Sequence, residues 1–129
     1  MEAMVATHPA VAECAVIGMA DQLRGQVPLG LVVLKNGFSI SESAIEKELV
    51  AMVREQIGAL ACFKTVIVVH RLPKTRSGKI LRKTMRQLVD EGTCIVPSTI
   101  DDVQILEELK TAFTQKTIGW FQNTLSPLE

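Results

Sequence analysis

Alternating apolar and polar segments along the chain predict a small domain that mixes strands and helices. Three short apolar runs, at 11–19, 27–35 and 65–70, are bounded by turn residues and are typical of buried strands. Only a short polar stretch separates the first two runs, so we expect them to form a β-hairpin. The third run is rich in β-branched residues, which favour a strand.

Apolar residues at helical spacing predict four helices around these strands, approximately at 1–7, 43–58, 79–91 and 99–113. The first ends at His8, because a residue before proline is disfavoured in helical geometry, and Ser98 or Thr99 can cap the last. The order is α-β-β-α-β-α plus a C-terminal helix. We expect an α/β (α+β) fold, a small three-stranded sheet with helices packed on it, at 1–113, and a divergent tail at 114–129.

The second predicted helix carries two further signals. Ser39 and Ser43 are each followed after three residues by a glutamate, which is the spacing of a capping box. Arg54 lies nine residues after the apolar Ile45, which is about 180° around a helix. We therefore expect Arg54 to face solvent.

Charge is balanced overall but uneven along the chain. The 129 residues include 14 Lys and Arg against 14 Asp and Glu, which argues against a generally basic nucleic-acid-binding protein. The stretch 71–86 holds seven of the basic residues and no acidic one. This pattern indicates an anionic ligand at one place, although a solvated basic helix face would give the same pattern.

Composition also bounds the class of protein and its compartment. Cys14, Cys62 and Cys94 are odd in number and widely spaced, which fits neither a disulfide framework nor a zinc site and indicates a reducing compartment. No signal peptide, transit peptide or apolar run of membrane length is visible. We therefore expect a soluble intracellular protein. No capping residue precedes the first predicted helix, so we also expect this chain to be part of a larger protein.

The segment 73–80, PKTRSGKI, carries the clearest chemical signal. A loop with glycine and lysine at the start of a helix suits phosphate, since backbone N–H groups, the helix dipole and a cation converge there. It is not a Walker A loop, which needs glycine where Pro73 lies and serine or threonine where Ile80 lies. The lysine is therefore expected to reach a nucleotide that is held elsewhere.

The run 72–82, LPKTRSGKILR, resembles the closing motif of the AMP-forming acyl-CoA synthetases, in the adenylate-forming superfamily. The segments HPAVAECAVIG, GQVP and VREQIG occur in the order of that family, and PSTIDD at 97–102 resembles the acetyl/propionyl-CoA synthetase branch. The resemblance covers 1–113 and is to the family's small C-terminal domain. Residues 114–129 do not share it.

The resemblance implies a ligase that is incomplete without its N-terminal adenylation domain. In that family ATP and a short-chain carboxylate, such as acetate or propionate, give an acyl-adenylate and pyrophosphate, and CoA then displaces AMP. Lys79 matches the adenylation lysine, and Arg54 matches an arginine that contacts CoA when the domain takes a second pose. Arg76, Ser77 and Gly78 would bind the cofactor, with Ser77 and Gly78 as a flexible support.

The resemblance also implies further partners. Ala6, His8 and Val11 align with a magnesium site made of main-chain carbonyls and a histidine, although a histidine beside proline is more often a helix cap. Lys79 would be a target for a lysine acetyltransferase and deacetylase. The compartment is expected to be the cytoplasm, with the mitochondrial matrix as the alternative, and neither nucleic acid nor membrane is an expected partner.

A different class of function stays open from the residues alone. The basic stretch 71–86 could let a free-standing binding domain hold an acidic or nucleic-acid partner. That stretch contains no aromatic residue, so it offers no platform for stacking bases. A degenerate remnant that only folds is a third reading.

Overall fold

The computed structural model describes residues 2–21, 25–35, 37, 40–56, 58, 63, 65–116 and 118–119. Its elements follow the order expected from the sequence and confirm the mixed α/β class. They are α1 (Glu2–Val5), β1 (Val11–Asp21), β2 (Gly25–Leu34), α2 (Glu42–Gln56), β3 (Thr65–Val68), α3 (Arg82–Glu91) and α4 (Gln104–Lys116).

The three strands form one sheet in the order β1-β2-β3. β1 and β2 pair antiparallel, with Ile17 opposite Leu29, which confirms the hairpin. β3 pairs parallel with β2, because the chain between them crosses over through α2. β3 is shorter than the run at 65–70: after Val68 only one more backbone bond joins the neighbour, from Val69 N–H to the Val32 carbonyl. His70 is therefore exposed beyond the strand rather than held in it.

Both faces of the sheet are covered, because side chains alternate between them along each strand. One face packs against α3 and α4 through buried residues such as Leu29, Leu88 and Phe113. The other face packs against α1 and α2 through Val5, Leu49 and other apolar residues. The chain is thus a three-layer domain with the sheet in the middle.

The start of α2 differs from the predicted capping box. Ser41 caps this helix, since its hydroxyl accepts a hydrogen bond from the backbone N–H of Ala44 at 3.2 Å. Ser43 lies inside the helix, and Ser39 lies outside the described residues. The two glutamates do not turn back to the helix start but reach the outer edge of β3, where a carboxylate has unpaired N–H groups to accept from.

Each of these carboxylates accepts a backbone hydrogen bond from β3. The Glu46 side chain accepts from Val66 N–H at 2.8 Å, and the Glu42 side chain accepts from Val68 N–H at 3.2 Å. Lys116 of α4 pairs with Glu46 at 3.1 Å. The outer edge of β3 is therefore covered by side chains.

The last two helices begin later than the apolar spacing predicts. Ile80 forms an isolated antiparallel bridge with Lys74, and Ile100 forms another with Thr75, so neither isoleucine is helical. α3 begins at Arg82, as a consequence, and α4 at Gln104. α3 ends as expected at Gly92, whose left-handed backbone, with φ of 79°, closes the helix.

α4 continues to Lys116, three residues past the expected domain boundary at 113. The boundary itself stays a prediction, and most of the expected tail, 120–129, lies outside the described residues. Among the helices described, none has the length and apolar character needed to cross a bilayer. Cys14 and Cys94 form no disulfide among the described residues, and Cys62 is outside the described part of the chain.

Candidate functional site

The motif lysine is carried by a short hairpin, here called the lysine hairpin (residues 73–81). Its base is closed by a hydrogen bond from Leu81 N–H to the Pro73 carbonyl at 2.9 Å. Nearer the tip, Thr75 N–H donates to the Lys79 carbonyl and Gly78 N–H donates to the Thr75 carbonyl, both at 2.9 Å. This pattern is a three-residue turn followed by a bulge, a common hairpin closure.

Glycine is required at the tip by backbone geometry. Gly78 has φ of 95°, in the left-handed region that residues with a Cβ rarely adopt. The Thr75 hydroxyl adds a second constraint, since it accepts from Lys79 N–H at 3.1 Å and lies 2.9 Å from the Ser77 hydroxyl. Gly78 and Ser77 therefore shape a hydrogen-bonded turn, where the sequence analysis expects a flexible support.

A third extended segment flanks the lysine hairpin. Arg76 N–H donates to the Thr99 carbonyl at 3.0 Å, and Asp101 N–H donates to the Lys74 carbonyl at 2.9 Å. Between them Ile100 is only 6% exposed and packs into the core beneath α3 and α4. The hairpin is thus anchored to the domain. The sequence pattern of the PSTIDD segment predicts a helix cap at Ser98 or Thr99 and gives no sign of this contact.

The side chains at the tip lie at the surface of the domain. Arg76, Ser77 and Lys79 are all exposed. The Lys79 ammonium has no hydrogen bond or ion pair with any described residue, whereas Lys74, at the base, lies 2.6 Å from a carboxylate oxygen of Glu13. Lys79 is therefore available to a ligand from outside the domain.

The approach to the tip is open. A groove of about 700 Å³ lies beside the lysine hairpin, between it and the first helix. Its lining is mostly apolar or small and consists of Ala3, Ala6, Glu13, Cys14, Lys74, Gly78 and Ile80. Among the described residues, no packed layer covers this side of the hairpin.

An ion-pair network holds the start of the lysine hairpin. Arg71 pairs with Asp102 at 2.9 Å and with Glu108 of α4 at 2.8 Å. These hydrogen bonds, the one to Glu108 first, raise the pKa of Arg71. The backbone N–H of Gln104 and then Arg71 lower the pKa of Asp102, so its carboxylate is ionised at neutral pH. We call these three side chains the Arg71 network.

Arg54 lies on the other side of the sheet from this network. It is in the last turn of α2 and exposed, which confirms its expected orientation. α2 packs on one sheet face, while the base of the lysine hairpin packs with α3 and α4 on the opposite face. Within the described residues, no hydrogen bond or ion pair joins Arg54 to Lys79.

The histidine expected in a magnesium site is already engaged within the domain. His8 accepts a hydrogen bond from Ala10 N–H through Nδ1 at 3.1 Å, and its Nε2 lies 2.8 Å from a Glu48 carboxylate oxygen. An imidazole bonded at both nitrogens has no free lone pair for a cation. The geometry does not fit magnesium ligation by this side chain, and Ala6 and Val11 could offer only carbonyl oxygens. These side-chain contacts are not a cap of α1 either, because the end of that helix presents carbonyl groups, whereas Nδ1 accepts from Ala10 N–H.

Comparison with protein families gives one clear match. The family described as the AMP-binding enzyme C-terminal domain matches residues 1–79, and its match ends at the motif lysine.

Similar proteins are much longer than this chain. An uncharacterized protein of Pseudomonas aeruginosa is 59% identical over 119 residues, which is 92% of this chain and 19% of that protein. A mitochondrial acyl-CoA synthetase short-chain family member B of Dictyostelium discoideum is 47% identical and matches 88% of this chain and 16% of its own length. The chain thus spans less than a fifth of these relatives.

Solved structures share the fold. An acyl-CoA synthetase of Brucella canis superposes with a TM-score of 0.61 at 37% identity, covering 67% of this chain and 16% of that one. An acetoacetyl-CoA synthetase of Streptomyces lividans gives a TM-score of 0.68 at 19% identity over 89% of this chain and 17% of its own, which is a likeness of fold.

Proposed function

Since this chain belongs to the family of AMP-binding enzyme C-terminal domains, we propose that it is the C-terminal part of an ATP-dependent short-chain acyl-CoA synthetase. The chain covers only 16% to 19% of relatives such as the Dictyostelium acyl-CoA synthetase. The nucleotide and acyl pockets would therefore belong to an N-terminal adenylation domain, which is the chain's main partner.

The exposed, unpaired ammonium of Lys79 at the hydrogen-bonded tip is the observation that carries this proposal. In the first half-reaction an oxygen of the carboxylate attacks the α-phosphorus of ATP, and the bond to pyrophosphate breaks. A fixed cation beside these atoms orients the nucleophile and stabilises the charge that develops on the phosphate oxygens. Because Lys79 has no partner of its own among the described residues, its charge is free for that use.

In the second half-reaction the thiol of CoA attacks the acyl carbon and AMP leaves. Arg54 is proposed to contact the 3′-phosphate of CoA at this stage, since an exposed guanidinium is suited to a phosphate group. ATP, CoA and a carboxylate such as acetate or propionate are thus the proposed substrates. No step is assigned to a magnesium ion on this chain, because His8 is engaged elsewhere.

Two further points rest on the same proposal. Acetylation of Lys79 would remove the charge that the first half-reaction needs, so a lysine acetyltransferase and deacetylase are proposed as regulators. Cytoplasm and mitochondrial matrix both stay predictions, and several relatives are named as mitochondrial proteins.

The test uses the full-length enzyme that contains this chain and measures its two half-reactions separately. Lys79→Ala is expected to lower pyrophosphate exchange about a hundredfold or more, because it removes a charge from the phosphoryl transition state. Thioester formation from premade acyl-adenylate should stay close to wild type.

Lys83→Ala is the matched control, since Lys83 is also an exposed lysine, on α3, and should change neither half-reaction. Equal loss of both half-reactions in Lys79→Ala would refute the assigned role.

A further inference from the structure

We propose that Arg71 is a positioning residue for Lys79 and acts through the ladder of extended segments that carries the lysine hairpin. The proposal rests on the adenylation role proposed above and assigns a residue outside the LPKTRSGKILR motif to the same step. Arg71 does not touch the nucleotide. It fixes where the Lys79 ammonium is presented.

The guanidinium of Arg71 is held by two carboxylates. Its Nε and Nη2 donate to the two carboxylate oxygens of Glu108 at 3.3 and 2.8 Å, and its Nη1 lies 2.9 Å from Asp102. A guanidinium held by two carboxylates along its planar fork has a defined orientation, which a single ion pair does not give.

Each partner of Arg71 belongs to a different element around the lysine hairpin. Arg71 stands two residues before the hairpin, and Asp102 follows the segment that pairs with it through Thr99 and Asp101. Glu108 is in α4, which is fixed in the core by the buried neighbour Leu109. The Arg71 network therefore ties both flanks of the hairpin to one packed helix.

The network is too exposed to be explained by stability alone. The side chains of Arg71, Asp102 and Glu108 are 39–43% exposed, and ion pairs of that exposure contribute little to folding. Catalysis is more sensitive than folding to the position of the Lys79 ammonium, since a displacement of about 1 Å at a reacting group can lower a rate about a hundredfold. We therefore expect loss of Arg71 to reduce catalysis much more than folding.

The experiment compares Arg71→Ala and Arg71→Lys in the full-length enzyme. Arg71→Ala should lower the kcat of pyrophosphate exchange about tenfold with the KM for ATP within about twofold, because the lysine is displaced while ATP binding is intact. Thioester formation from premade acyl-adenylate should be unchanged. Arg71→Lys, which keeps the charge but loses the fork, should fall in between, and it also provides a readout if Arg71→Ala folds poorly.

A matched control is Lys110→Ala, which removes another exposed ion pair of α4, with Glu107 at 3.3 Å, and should change neither half-reaction. Arg71 and Glu108 should also be coupled: Arg71→Ala combined with Glu108→Ala should lose no more exchange activity than Arg71→Ala alone. Raising the salt concentration should slow wild-type exchange more than that of Arg71→Ala, since salt screens the exposed pairs.

Wild-type exchange in Arg71→Ala, equal loss in both half-reactions, or strictly additive effects of the two alanines would overturn the proposal. Lys79→Ala separates the two levels of the argument. If Lys79→Ala abolishes exchange and Arg71→Ala does not lower it, only the positioning role fails. If Lys79→Ala leaves exchange intact, the proposed function itself fails.

Discussion

Arg54 shows how a single exposed side chain can be tested apart from the fold. It contacts no core, so replacing it should leave stability unchanged. In the full-length enzyme, Arg54→Ala is expected to raise the KM for CoA about tenfold or more, since a hydrogen bond to a charged phosphate contributes about 1.5–3 kcal/mol. The measurement is the CoA dependence of thioester formation from premade acyl-adenylate.

The control ligand is a CoA analogue that lacks the 3′-phosphate, for which Arg54→Ala and wild type should give the same KM. The control variant is Lys47→Ala, which removes another exposed cation from α2. An unchanged KM for CoA in Arg54→Ala would remove this residue from the proposed site.

The sequence identifies candidate site residues that face solvent. It does not identify residues whose role depends on a contact with a distant part of the chain. The helical spacing around Ile45 places Arg54 at the surface, and the motif alone singles out Lys79. The partners of Arg71 are 31 and 37 positions away along the chain, and no local pattern signals them. Neither does the sequence reveal that Glu48 engages His8.

Among the elements, β3 depends on side chains of α2 for the protection of its outer edge. Glu46→Ala leaves the N–H of the buried Val66 without its acceptor and removes the carboxylate that Lys116 contacts at 3.1 Å. We expect the free energy of unfolding to fall by about 1–3 kcal/mol, the usual cost of an unsatisfied buried donor. Urea denaturation measures this change.

An open strand edge also promotes pairing between molecules, so sedimentation of Glu46→Ala should show self-association that the wild type lacks. Glu46→Gln keeps an acceptor oxygen and should lose less stability. Glu55→Ala, at an exposed position of the same helix, should behave as wild type. If Glu55→Ala and Glu46→Ala lose the same stability, the edge contact is not the cause.

The first residues of α3 and α4 are not predicted correctly from the sequence. Ile80 and Ile100 continue the apolar spacing of the helices that follow them, but both are drawn into bridges with the lysine hairpin. Long-range pairing thus overrides local periodicity. Where no such pairing competes, as at the glycine that closes α3, the sequence predicts the end of the helix correctly.

For the molecule as a whole, Asp102 gives stability a small dependence on pH. Its pKa is lowered in the folded chain, so the ionised carboxylate stabilises the fold at neutral pH and this contribution is lost as the pH falls below about 4. The difference in unfolding free energy between wild type and Asp102→Asn should be constant from about pH 7 to 5 and shrink below about pH 4.

Asp101→Asn is the comparison, because the Asp101 side chain is exposed and has no ion pair within the described ranges. A gap between wild type and Asp102→Asn that persists unchanged to pH 3 would contradict the assignment. Both variants are measured by urea unfolding.

The order of elements and the hairpin of β1 and β2 follow from local patterns, and the structure confirms them. Which sheet face each helix covers is not a local property, because amphipathic helices fit either face. The sequence therefore predicts which helices and strands form and in what order. Only the structure shows that α1 and α2 pack on the same face of the sheet.

The packing of helices on both sheet faces limits how the domain could be attached to the proposed N-terminal adenylation domain. Arg54 lies in the layer of α2, whereas the base of the lysine hairpin packs in the layer of α3 and α4, and the sheet is packed on both faces. If the proposed roles of Arg54 and Lys79 hold, a linker that held the domain in one fixed orientation would support only one of the two proposed half-reactions. Freezing the domain with an engineered cross-link should therefore stall the cycle at a stage set by which layer faces inward.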